Sequence, residues 1–150
     1  MEIEFIASID KLMERDLSKL EEEIKLYPSE EAIWVIDKEI KNAAGNLCLH
    51  LCGNLQHFIG AILGKSGYVR NREYEFSAKG ISKAKLVAEI QQTKKVVRST
   101  LQGLNTSVLP DEYAIQVFGH PMTTMYFLIH LSAHLEYHLG QVNYHRRLLS

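Results

Sequence analysis

Residues 121–148 read PMTTMYFLIHLSAHLEYHLGQVNYHRRL. Apolar side chains recur at helical spacing through the whole stretch, and Pro121 sits where the first helical position is expected, a place that tolerates proline. The stretch therefore predicts a last, long helix from Pro121 to about Leu148. Each helical residue advances by about 100°, so His130, His134, His138 and His145 fall within roughly 80° of one another. Phe127 and Gln141 share that arc, whereas Glu136 faces away.

A second segment, residues 43–63, is apolar on most sides: Leu47, Leu49, Leu51, Leu55, Phe58, Ile59 and Ile62. A helix of this kind is covered by neighbours on several faces. His50 and His57 lie within about 20° of each other on it, with Asn46 and Asn54 alongside. Cys48 and Cys52 point the opposite way. Gly53, Gly60 and Gly64 each cost about 1 kcal/mol of helix propensity against alanine, which close approach of another helix or a ligand would offset.

Two further helices complete the set. Residues 2–27 carry Ile6, Ile9, Met13, Leu17, Leu20 and Ile24 at three- and four-residue spacing, and Tyr27-Pro28 ends the run. Ser82 is a suitable N-cap for a helix with the stripe Leu86, Ile90, Val97 and Leu101, ending near Gly103-Leu-Asn105. Between the helices lie residues 28–42, with the apolar patch Ile33–Ile36 as a helical turn or an extended piece over a bundle end. A polar loop at 64–81 and a connection at 105–120 are the others. No strand pattern competes. The expectation is all-α: a four-helix bundle with long connections, compatible with a helix order other than simple up-and-down, forming one domain over residues 1–150.

Composition narrows the function. Of 150 residues, 17 are basic and 18 acidic, for a net charge of −1. No basic stripe of the kind that neutralises phosphates stands out, which argues against nucleic acid as partner. No apolar run reaches the roughly 18 residues of a membrane span. Two cysteines one helical turn apart are poorly placed for a disulfide and suit a reducing compartment. The expected location is the cytoplasm.

Seven histidines is a high count for this length, and their placement matters more. A lone histidine on an apolar face is more often a satisfied core residue than a ligand. Several facing one another across two helices change the balance, because each buried imidazole brings two nitrogens that need partners. His134 and His138, at i and i+4, can bind one metal ion from one helix face. A third ligand then comes from the other helix, from His50 or His57. Three protein ligands leave a coordination position open, the arrangement of catalytic rather than structural sites. Neutral nitrogen donors suit a divalent metal, zinc or nickel first, and also iron, manganese or copper.

The segment His134-Leu-Glu-Tyr-His138-Leu-Gly-Gln141 resembles the last-helix motif of the DinB/YfiT-like superfamily, as does Asn46-Leu-Cys-Leu-His50-Leu-Cys-Gly53-Asn54 on the second helix. The loop Arg70-Asn-Arg72-Glu73-Tyr-Glu75-Phe76 is similar to an uncharacterised branch of it. The resemblance covers residues 32 to the end. It implies a four-helix bundle whose metal is held by His50, His134 and His138, in a protein that is often a homodimer. It leaves His57, His130 and His145 unassigned. Characterised relatives include transferases that use low-molecular-weight thiols such as bacillithiol or mycothiol, metal-dependent isomerases, and proteins labelled metal-dependent hydrolases.

An open three-histidine centre can activate water for hydrolysis or stabilise a thiolate for transfer. Both uses take a small-molecule substrate and the same ligands. His57 and His130 are the pocket residues best placed to move protons, and Gln141 can orient a ligand or substrate. Asn46 and Asn54 are candidates to fix imidazole tautomers. The rival reading is a non-catalytic, stress-associated bundle that binds metal or a small molecule.

Overall fold

The computed structural model describes residues 1–150 and is all-helical. Helix α1 spans Glu2–Leu26, α2 Ala44–Leu55, α3 Arg72–Ser77, α4 Lys83–Gly103 and α5 Thr124–Leu149. No helix is long and apolar enough to cross a membrane. Helix α1 packs on α4 and α5, and α2 packs on the same two. The core runs between these four elements.

The α1 stripe is buried as its spacing predicts: Ile6, Ile9, Met13, Leu17, Leu20 and Ile24 all lie in the core. Ser82 caps α4, its Oγ accepting the Lys85 N–H at 3.2 Å. Every residue of α2 is buried, which accounts for its lack of a polar face. Beyond Leu55 the chain continues as a π-helical segment, Gln56–Leu63. Gly60 and Gly64 face α4, where a Cβ would meet Val96 and Thr100. Those two glycines serve helix packing within the chain.

Two expectations change. Pro121 lies outside α5. Thr123 is the N-cap instead, accepting from the Tyr126 N–H at 3.1 Å. Residues 121–123 are diverted into backbone pairing with the preceding loop, through Tyr113 N–H to Met122 O (2.9 Å) and a Glu112–Thr123 bridge. The segment 64–81 is not all loop, since it holds α3. That helix buries one side chain, Glu75, and so carries no apolar periodicity. Residues 28–42 contain a 3-10 turn at Glu31–Trp34, followed by extended Val35.

That last connection is pinned across one end of the helices. His145, buried on α5, donates from Nε2 to Val35 O (2.8 Å) and accepts at Nδ1 from the Tyr27 hydroxyl (2.7 Å). One imidazole thus ties α1, the 28–42 strap and α5 together.

Candidate metal centre

His50 sits mid-way along α2, and His134 and His138 sit one turn apart on α5. One ring nitrogen from each lies within 4.8 Å of those of the other two, a group that could hold a metal ion. His50 Nε2 is 3.2 Å from His134 Nε2. The ring planes cross nearly at right angles, 88° for His50 with His138 and 85° for His134 with His138.

Hydrogen bonds behind two of the rings decide which nitrogens face inward. Glu75 Oε1 is 3.1 Å from His50 Nδ1. A carboxylate flanked by cations only accepts, so His50 Nδ1 carries a hydrogen, and in the neutral ring Nε2 then presents the lone pair. Arg70 Nη2 also lies 3.3 Å from His50 Nδ1. Two donors cannot share that contact, and the guanidinium is already engaged by Glu75 at 2.8 and 2.9 Å, so the carboxylate bond is the one that counts. On α5, His138 Nδ1 donates to Gln141 Oε1 at 2.6 Å, which again frees Nε2. Two zinc-bound nitrogens at 2.0–2.1 Å from the ion stand roughly 3.3 Å apart at a tetrahedral angle. The 3.2 Å between His50 and His134 fits that spacing.

At His134 and His138 the electrostatics favour the neutral ring, the state a metal requires. Burial first, then the neighbouring His138, His50 and His130 rings and Arg70, lower His134 to about 3. Burial also lowers His138, partly opposed by its bond to Gln141. For Glu75, burial works upward, but the hydrogen bonds from His50 and Arg70 and their charges outweigh it, and the carboxyl stays below its ordinary value. Glu75 is 3% exposed. It reaches His50 because Gly53 leaves room, since a Cβ there would collide with the carboxylate. Asn46 holds the acid's backbone in place, donating to Glu75 O (3.1 Å) and Ala78 O (2.8 Å).

Glu75 is therefore the tautomer-fixing group for His50, a role the sequence reading gave to Asn46 and Asn54. Asn46 acts one step back, through the α3 backbone, and Asn54 Oδ1 is buried without a partner. The one sequence signal for Glu75 was its place in the charged run 70–76. Gln141 lies where expected and orients a ring of the triad. His57 and His130 stand outside the group of three. His130 stacks on Phe127 and lies 6.0 Å, centroid to centroid, from His134. Burial lowers its pKa. His57 packs on Phe58 and has an unpartnered buried Nδ1; burial and then Arg70 lower its pKa. His145 serves the strap and His120 a surface loop. Cys48 and Cys52 are free and buried in the core, and their mutual hydrogen bond and burial raise the Cys48 thiol.

The family model described as "Protein of unknown function (DUF1572)" matches residues 2–150. The chain belongs to the DUF1572 family. No curated protein and no solved structure matches it.

Proposed function

We propose that this protein is a metal-dependent enzyme of the DinB/YfiT-like type, a four-helix bundle holding one divalent ion through His50, His134 and His138. The observation that carries the reading is the convergence of Nε2 atoms from two helices, with the far nitrogens of His50 and His138 already fixed by Glu75 and Gln141. A divalent cation there would supply Lewis acidity toward a small-molecule substrate, for hydrolysis or for transfer of a low-molecular-weight thiol. Glu75 and Gln141 keep two rings in the ligating tautomer. Arg70 holds Glu75 in place and offsets its charge. His130, 6.0 Å from His134 and with its pKa lowered by burial, is the group beside the centre that can take up a proton. Tyr126, Ile129, Ala133 and Gly140 leave one face of α5 exposed, which supports a homodimer.

A non-catalytic metal- or small-molecule-binding role has one observation in its favour. The carboxylate next to the triad, Glu75, is fully engaged by His50 and Arg70, and Glu136 points away to Arg15. The deciding experiment is elemental analysis of the untagged protein beside the variant His50→Ala/His134→Ala/His138→Ala. About one metal per chain in the parent and none in the variant is expected. No metal in the parent after incubation with zinc, nickel or manganese overturns the centre and the enzyme with it.

A further inference from the structure

Four buried side-chain atoms of the chain have no hydrogen-bond partner: Glu21 Oε1, Asn54 Oδ1, His57 Nδ1 and His134 Nδ1. A buried polar atom left unpaired costs stability, so each one calls for a reason. Two of them belong to facing stretches of α2 and α5. The His50 ring lies 5.1 Å from that of His134, and the Phe58 ring 5.1 Å from that of Phe127. The two helices therefore run antiparallel here, and Asn54, midway between His50 and Phe58, sits opposite residues 127–134. Helical side chains lean toward the N-terminus of their own helix, so Asn54 and His134 lean toward each other. Round α2, Asn54 stands about 40° from His50, on the side away from Gly53, which faces Glu75. Asn54 is 7% exposed.

The rival partners for His134 Nδ1 fall away. The charged groups around His134 are imidazoles and Arg70, with no carboxylate among them. His130 stacks on it at 29° and 6.0 Å, which keeps the ring nitrogens in offset planes rather than in line. His57 is turned to the other flank, toward Arg70 and Glu75.

The hydrogen on His134 also has to change place with the content of the site. His50, neutral and bonded to Glu75 through Nδ1, turns a lone pair toward His134 Nε2 at 3.2 Å. With no ion present, His134 avoids a clash of lone pairs by holding its hydrogen on Nε2, which leaves Nδ1 bare. With an ion on Nε2, that hydrogen is given up to water and one is taken back at Nδ1. Nδ1 thus needs a donor in one state and an acceptor in the other. An amide supplies both by turning about its soft terminal torsion, whereas a carboxylate supplies only the acceptor.

We propose that Asn54 is the positioning residue for His134. Its NH₂ donates to the bare Nδ1 of the metal-free chain, and its Oδ1 accepts the Nδ1 hydrogen once a metal takes Nε2. Asn54 then serves His134 as Glu75 serves His50 and Gln141 serves His138. The second half of the proposal rests on the three-histidine reading; the first does not.

Nitrogen-15 NMR of the imidazoles in the full chain reads the tautomer, and competition with a chelator reads zinc affinity. His134 is expected to carry its hydrogen on Nε2 in the metal-free parent and on Nδ1 in the zinc-loaded parent. Asn54→Asp should place the hydrogen on Nδ1 before metal is added, and bind zinc at least as tightly as the parent. Asn54→Leu, close in size, should keep the unfolding midpoint of the metal-free protein and weaken zinc binding about tenfold or more. A hydrogen on Nδ1 in the metal-free parent, an unmoved tautomer in Asn54→Asp, or parental zinc affinity in Asn54→Leu overturns the proposal. If the parent takes up no zinc, the metal-centre reading fails by itself. The metal-free tautomers of the parent and of Asn54→Asp then decide whether Asn54 sets His134.

Discussion

His145 and the His134–His138 pair occupy one face of one helix, yet they end in opposite situations. Both nitrogens of His145 are satisfied inside the protein, by the Tyr27 hydroxyl and Val35 O. His134 has a buried Nδ1 with no partner and an Nε2 that faces only another imidazole nitrogen. A helical wheel groups all of these residues. What separates a core histidine from a candidate ligand is where the bonds of its two nitrogens go, and that depends on other elements: α1 and the strap for His145, α2 and α3 for the triad.

The largest expected effect is at His134. His134→Ala should remove nearly all metal by elemental analysis, and unchanged metal content would erase the distinction. His145→Ala should keep the metal but lower stability by on the order of 2–4 kcal/mol in denaturant unfolding, because Tyr27 loses its closest partner and a buried ring is deleted. Metal loss with stability retained would reverse the comparison. Glu75→Gln should weaken metal binding about 10- to 100-fold, roughly 1.4–2.7 kcal/mol, measured by competition with a chelator. Gly53→Ala should copy that effect by displacing the carboxylate; parental affinity in both variants would remove Glu75 from the centre.

A smaller effect concerns pH. His134 ionises near 3 in the folded chain against an ordinary 6.5. The unfolded chain therefore binds more protons across that window. The metal-free protein should hold this stability above pH 6.5 and lose it as pH falls toward 3, by up to about 1.4 kcal/mol per pH unit for one proton. His134→Ala should flatten the slope, and an unchanged slope would show that the ring is not shielded as described. Smallest of all, Cys48→Ser should leave metal content unaltered, since the thiol lies in the core.

Much of this was legible beforehand. The α1 and α4 stripes, the Ser82 cap and the face shared by His134 and His138 follow from periodicity and spacing alone. The partner of His50 did not, because α3 buries a single carboxylate and presents no apolar pattern to read. The start of α5 was misplaced because Pro121 satisfies a helix-start rule locally, while backbone pairing with residues 111–113 claims that stretch. His57 shares a face with His50 but lies two turns further along the axis, roughly 10 Å away, and so stands outside the group of three.

The π-helical segment also bears on how the chain tolerates changes in length. Its bonds reach back five residues, as in Gly64 N–H to Ile59 O at 2.9 Å. Each hydrogen-bonded loop of a segment wound this way encloses one residue more than in an α-helix, so a single deletion within 56–63 can be absorbed by tightening to ordinary α geometry. His50 lies upstream of it and keeps its aim. A deletion inside α5 between Thr124 and His134 has no such reserve, and would swing one part of that helix against the other by about 100°. A scan of one-residue deletions should find its most permissive helical stretch beside the triad, on the strand of chain that leads away from His50.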